Sequence, residues 1–168
     1  DVKSIPTPDE LPYIDRTDIH VTKIESKYYD DLSRYLTPRV VKGYEEDGKS
    51  IPPRTTIGGA FQHEAAHQRS GDWVLPDSYE AAKDKLDLDT PLNFVCTADI
   101  IGGNSGSPVV DREGRLVGVI FDGNIQSLTA DFYYSDVQGR AVAVHIAAVL
   151  EALDKIYHAS ELKQQIGK

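Results

Sequence analysis

Gly102-Gly103-Asn104-Ser105-Gly106-Ser107-Pro108 runs directly into the apolar pair Val109-Val110. A serine between two glycines, with a Gly-Gly step ahead of it, constrains the backbone. Glycine permits positive φ and lets another group approach the main chain closely. A tight turn of this kind can lift the Ser105 hydroxyl clear of the surface. It can also aim the N–H groups of Gly103 and Ser105 into one small space, the pair of donors that an oxyanion hole requires when an acyl carbonyl becomes tetrahedral. Four of these residues alone would suit an ordinary Gly/Asn/Ser turn. The whole run, set between strand-like segments, is read as the nucleophile turn of an acyl-transfer site, with Ser105 as nucleophile, Gly103 as oxyanion donor and Asn104 as part of the turn.

Working outward, residues 92–98 predict a strand that delivers the chain to this turn. Pro108–Asp111, the turn Arg112-Glu113-Gly114 and Arg115–Phe121 predict a hairpin. Asp122-Gly123-Asn124 reads as a further turn, with Gly123 at the position that most needs positive φ. Asp131–Tyr134 and Arg140–Val144 are expected to pair as strands. Ile146, Val149, Leu150, Leu153, Ile156 and Tyr157 recur at spacings of three and four and predict a closing amphipathic helix, with Ser160 capping a last short one.

Upstream, Thr55-Thr56-Ile57 reads as a strand ending at Gly58-Gly59, and 62–76, with His63, His67 and Trp73, as a loop. Asp77 and Glu80 have the spacing of a capping box ahead of a short helix. Glu45-Glu46-Asp47-Gly48 reads as a turn. Residues 26–36 predict a helix ended by Thr37-Pro38, and 1–25 are extended and broken by prolines. Together these elements predict a mostly β fold. It corresponds to the C-terminal barrel of a chymotrypsin-like antiparallel β architecture, closed by the amphipathic helix.

A chain of 168 residues suits one domain. Its net charge of −9 and pI near 4.9 argue against nonspecific nucleic-acid binding, which rests on Lys and Arg contacts to phosphate. No apolar run approaches the ~20 residues needed to span a membrane as a helix. The single Cys96 rules out an internal disulfide and reads as a small buried hydrophobe. With no methionine and Asp1 at its start, the sequence is expected to be a processed product or a piece of a longer chain.

Beyond these local patterns, the run Ala81–Leu88, then Pro91–Val95, then Thr97–Val110, resembles the bacterial dipeptidyl peptidases of types 7 and 11. The resemblance continues through Gly118–Leu128 to the closing helix and reaches back to Lys42-Gly43-Tyr44. It therefore covers about residues 42–168 and leaves 1–41 unmatched. It implies a double β-barrel of chymotrypsin type interrupted by a helical domain, and removal of dipeptides from free N-termini of oligopeptides. It further implies a periplasmic or secreted, homodimeric parent. Ser105 takes the nucleophile's place, with oxyanion donors around Gly103 and Ser105. Asp122 takes the place of the residue that binds the substrate's α-ammonium, by a charge-assisted hydrogen bond of the stronger kind. Gly123 takes the place where an arginine selects acidic side chains and glycine leaves room for apolar ones. Taken alone, Asp122-Gly123 also suits an ordinary β-turn.

A serine hydroxyl needs an adjacent base, itself oriented by a third group. In the family that His and Asp lie far upstream, and none of His20, His63, His67, His145 and His158 sits in a matching segment. His63 and His67 are four apart, a spacing that would suit a metal on a helix. Between Gly58-Gly59 and Arg69-Ser70-Gly71, with no third ligand evident, they read instead as surface-loop histidines, and neither metal nor cofactor is expected. His145 stands where relatives carry an aspartate and is assigned a packing or capping position. The expectation is half an active site, inactive without the missing half that bears His and Asp. Two other functions fit the same residues: a non-catalytic peptide-binding or assembly module, and a glutamyl-endopeptidase-like protease. The second would need its own early histidine, and only His20 lies early.

Overall fold

The computed structural model of the chain describes residues 39–111 and 113–166. The helix expected over 26–36, and His20, lie outside them. The described chain is built on a five-stranded antiparallel sheet in the order β3-β4-β7-β6-β5. Its strands are β3 (Arg54–Thr56), β4 (Pro91–Cys96), β5 (Pro108–Val110), β6 (Leu116–Gly123) and β7 (Ala141–His145). A separate hairpin pairs β1 (Tyr44–Glu46) with β2 (Lys49–Ile51) around Asp47-Gly48. The antiparallel β architecture is as expected. The sheet is open among the described residues, with β3 and β5 at its margins.

Strand alternation puts one set of side chains inward. Phe94 and Cys96 of β4 lie opposite Ala143 and Ala141 of β7, and Ile120 of β6 also lies opposite Ala143. With Ala98 and Val109 these form the main core, every member at most 5% exposed. Alanines at 141 and 143 leave room for the Phe94 ring between strands, the large-beside-small packing that native density requires. Cys96 is wholly buried, as expected, and its thiol is pushed up to about 11 by burial.

The register slips once where it matters. Ile120 pairs with Ala143 and Asp122 with Val142, so Phe121 is an extra residue, a β-bulge. The strand therefore continues through Asp122 and Gly123, and Gly123 lies opposite Ala141. This corrects the expectation of a turn at Asp122-Gly123-Asn124. Gly123 does not have positive φ; glycine is needed there because a Cβ would strike the Ser127 hydroxyl.

Helices pack at the ends of the sheet. Thr56 caps α1 (Ile57–Ala66), its Oγ1 accepting from the Gly59 N–H at 3.0 Å. Ile57, Phe61 and Glu64, at spacings of four and three, are its buried face. The strand expected through Ile57 thus stops at Thr56, and much of the expected 62–76 loop is helical. Gly58 lies inside the helix because the Leu88 backbone crosses it closely: its N–H donates to the Leu88 carbonyl at 2.8 Å, and a Cβ would come within 2.9 Å of that oxygen. α2 (Asp77–Ala82) begins one residue earlier than expected. Pro76 is its N-cap and Asp77 its first helical residue, without a side-chain cap. Ile57, Phe61, Ala82 and Leu86 form a second core, joined by Leu92 of β4 and Ile156. α3 (Ile146–Lys155) and α4 (Ser160–Ile166) close the chain; Ser160 opens α4 as its first residue.

Residues 125–131 form a 3-10 helix, and Asp131–Tyr134 is not a strand, against expectation. β7 has both edges filled, by β4 and β6, so no position beside it remains for the expected pairing. The returning segment is instead knotted by Arg140, 1% exposed. Its guanidinium donates to the carbonyls of Lys42 at 2.9 Å, Gly43 at 2.8 Å, Asp136 at 2.8 Å and Gly139 at 2.6 Å. No carboxylate is among these partners, and burial lowers the pKa of the group.

Candidate active site

Two successive turns build the loop that carries Ser105. The Asn104 N–H donates to the Ile101 carbonyl at 3.2 Å, and the Ser107 N–H to the Asn104 carbonyl at 3.0 Å. The Asn104 side chain closes the first turn, its Oδ1 accepting from the Ile101 N–H at 2.8 Å. Gly103 and Gly106 take φ of +98° and +89°, conformations that cost an L side chain about 1–2 kcal/mol or more. Space is not the constraint at Gly103, where an added Cβ would meet nothing within 4 Å.

The loop is clamped to β6 by a reciprocal pair of bonds. Gly106 N–H donates to the Ile120 carbonyl at 2.8 Å, and Ile120 N–H to the Ser107 carbonyl at 2.9 Å. Ser105 is thereby held exposed beside the bulge, and its Oγ donates to the Phe121 carbonyl at 3.3 Å. Among the described residues neither the Gly103 nor the Ser105 N–H has a hydrogen-bond acceptor. Both donors remain available to an incoming oxygen.

Asp122 follows the bulge directly. The carbonyl facing Ser105 and the Asp122 carboxylate therefore belong to adjacent residues. Asp122 is exposed, and its Oδ1 accepts from the Gly123 N–H at 2.8 Å. Gly123 borders the 3-10 helix: Ser127 Oγ donates to the Asn124 carbonyl at 2.7 Å, and Asn124 Oδ1 accepts from the Arg140 N–H at 2.8 Å. Thus Ser105, Gly103, Asn104, Asp122 and Gly123 gather at one end of β6. The parts that sequence reasoning missed are the Phe121 carbonyl and Ser127. An exposed Phe after alternating Val117, Val119 and buried Ile120 is the only sign of a bulge, and nothing marked Ser127.

The histidines stand elsewhere in the hydrogen-bond network. His145 caps α3, its Nδ1 accepting from the Ala147 N–H at 3.1 Å, and its ring meets Phe94 edge-on with centroids 5.8 Å apart. Burial, with the Arg54 charge adding to it, holds its pKa below the ordinary histidine value. This bears out its assignment to packing and capping. His63 lies in α1 and His67 is its C-cap, which corrects the loop expected for both, with Trp73 beside both rings. Among the described residues no imidazole hydrogen-bonds to Ser105, and no group of three His, Cys, Asp or Glu side chains is placed to hold a metal. No helix among them is long and apolar enough to cross a membrane.

Apolar side chains lie open on the same side of the sequence: Ile101 in the turn, Phe121 in the bulge, Ile125 and Leu128 after Gly123, and Phe132, which is 94% exposed.

Comparison with known proteins places this arrangement. The family model Peptidase S46 matches residues 27–168. Dipeptidyl-peptidase 7 of Phocaeicola vulgatus is 35% identical over 130 residues, covering 72% of this chain and 18% of that protein. The Asp/Glu-specific dipeptidyl-peptidase of Shewanella putrefaciens is 41% identical over 76 residues, covering 45% of this chain and 10% of the other. Among solved structures, Porphyromonas endodontalis DPP11 in complex with the dipeptide Arg-Glu superposes with a TM-score of 0.68 at 26% identity, over 76% of this chain and 19% of that one. The match spans between about a tenth and a fifth of the length of these longer relatives, and the chain belongs to the peptidase S46 family.

Proposed function

We propose that this chain is the nucleophile-bearing portion of a serine dipeptidyl peptidase that removes dipeptides from the free N-termini of oligopeptides. The observation that carries the proposal is the convergence at the end of β6: an exposed Ser105, two amide donors without acceptors, and the Asp122 carboxylate one residue past the carbonyl that holds the Ser105 hydroxyl. Ser105 Oγ attacks the carbonyl carbon of the second residue. The Gly103 and Ser105 N–H groups receive the oxyanion, a contribution of about 2.7–4 kcal/mol per donor in a comparable site. Asp122 anchors the α-ammonium and so sets the cut two residues in. Gly123 leaves the adjoining pocket without the cation that an acidic side chain would need, so the substrate's second residue is apolar.

The base and its orienting carboxylate come from the remainder of the parent, which with this portion completes a chymotrypsin-like double barrel. The open apolar residues from Ile101 to Phe132 support a covering partner, because patches of this kind mark interaction surfaces. The parent is periplasmic or secreted and homodimeric on this reading. Alone, the chain is inactive. The experiment is incubation of the isolated chain, and of the full-length parent, with a dipeptidyl chromogenic substrate and a fluorophosphonate. The parent should turn over and label at Ser105, whereas the chain alone should do neither; vigorous turnover by the chain alone would sink the half-site reading.

One observation favours a second reading: Ser105 donates to a main-chain carbonyl, with no imidazole to activate it among the described residues. A non-catalytic peptide-binding module would bind a dipeptide with an affinity indifferent to Ser105→Ala and lost with Asp122→Ala, and its full-length parent would not cleave.

A further inference from the structure

His63 and His67 were expected in a loop, and the helical placement changes what they can do. His63 lies in the last turn of α1 and His67 is its C-cap, one turn on, and positions four apart share a face. His67 Nδ1 lies 2.8 Å from the His63 main-chain carbonyl. A carbonyl can only accept, so this contact puts the proton on Nδ1 and leaves Nε2 with its lone pair. That is the arrangement by which a second contact orients a metal-ligating histidine. His63 is exposed, and neither of its ring nitrogens is hydrogen-bonded among the described residues.

The spacing of the two rings carries the argument further. Their centroids are 4.4 Å apart, and the ring planes are inclined at 52°, so they are not stacked on each other. A cation about 2 Å from one nitrogen of each ring lies about 3.2 Å from each centroid. Two such directions at a right angle put the centroids about 4.5 Å apart, whereas the tetrahedral angle would put them about 5.2 Å apart. The observed separation matches adjacent positions of a square-planar or octahedral ion. Trp73 stacks on His67 at 4.3 Å and 24°, covering a face of that ring. A ligand's lone pair lies in the ring plane, so the stacked indole leaves Nε2 open. The segment that carries Trp73 is anchored nearby by the buried Glu64, whose Oε1 accepts from the Leu75 N–H at 2.8 Å.

We propose that His63 and His67 form a chelating site for a divalent transition ion of tetragonal or octahedral preference, Cu2+ or Ni2+, with water in its remaining positions and Trp73 as its wall. The site is independent of the Ser105 chemistry. Trp73 is the sole tryptophan of the chain, so its fluorescence reports the site directly.

The test titrates the full 168-residue chain with CuCl2 and with NiCl2 in a non-chelating buffer at pH 7.5, exciting Trp73 selectively. The expected result is saturable quenching by one ion per chain, reversed by EDTA. Each of His63→Ala and His67→Ala should weaken binding by roughly tenfold or more, on the scale of losing a metal-orienting contact. Trp73→Phe should abolish the optical signal and keep the heat of binding in calorimetry. Quenching that grows without saturating, or a saturable signal that both histidine variants retain, overturns the site. Both histidines lie on the solvent side of α1, and circular dichroism of the two variants verifies that they remain folded.

Discussion

Two loops leave the same end of the sheet and solve opposite problems. The Ser105 loop, 101–107, holds its shape with turn bonds and two left-handed glycines, and it keeps the N–H groups of Gly103 and Ser105 unspent. The returning segment, 124–140, is knotted around a guanidinium whose donors are all directed at main-chain carbonyls. A buried charge must be fully hydrogen-bonded to be tolerated, so the Arg140 knot cannot leave a partner unused. An acyl-transfer site needs the reverse: donors already fixed in place but without an acceptor until substrate arrives. The knot spends its donors on main-chain carbonyls, and the turn, clamped separately to β6, keeps two amides free.

The contrast can be broken most severely at the turn. In the full-length parent, Ser105→Ala is expected to lower dipeptide release by about a millionfold, the loss seen when the nucleophile of a serine peptidase is removed. Turnover of a dipeptidyl chromogen should show this without a change in thermal stability. At the knot the effect moves to folding. Arg140→Met removes the guanidinium donors from the carbonyls of Lys42, Gly43, Asp136 and Gly139, and urea unfolding should show a loss of about 3–5 kcal/mol. If Arg140→Met unfolds at the same urea concentration as the parent sequence, the carbonyls have found other partners and the knot is not what stiffens the segment.

A finer test lies where β6 passes into the returning segment. Gly123→Ala drives a methyl into the Ser127 hydroxyl and is expected to cost about 1–3 kcal/mol, as overpacking does. Ser127→Ala or Ser127→Gly should relieve part of it, which a double-mutant cycle measures as coupling of about 1 kcal/mol. The smallest effect is at His145, a neutral cap. Its pKa is lowered by burial in the folded chain, so the unfolded chain takes up the proton first. Its contribution is therefore complete above pH about 6.5 and falls as pH drops from there through the lowered folded value. His145→Ala should cost about 1 kcal/mol at pH 7.5. His145→Asp should keep the cap and flatten the pH dependence between 7 and 5, read as the denaturation midpoint.

The turn was legible because glycine states its backbone requirement outright: Gly103 and Gly106 do take positive φ. β4, the 108–121 hairpin and the closing helix were legible from simple periodicity. What was missed has a common cause in long-range contacts. Gly58-Gly59 reads as the end of a strand until the Leu88 backbone is seen pressing on Gly58. The aromatic run Phe132-Tyr133-Tyr134 has strand composition, but β7 already has both neighbours. Tyr134 serves the sheet from outside, its hydroxyl donating to the Thr97 carbonyl at 2.7 Å. Asp122-Gly123 carries the composition of a turn and lies in a strand, because only the partner strand reveals the extra residue at Phe121.

That extra residue has a consequence for how the site could be lost. Strand parity is binary, and a slip by one exchanges the two faces. Were Phe121 paired in regular register instead of bulged, it would stand opposite Val142 and Asp122 opposite Ala141, which is fully buried, and a carboxylate would point into the apolar layer where Gly123 now sits. Absorbing Phe121 into the ladder would thus invert the end of β6, whereas deleting it would keep Asp122 opposite Val142 and remove the carbonyl that accepts from Ser105. The chemistry gathered here depends on an odd number: one unpaired residue decides which face of the sheet carries the charge.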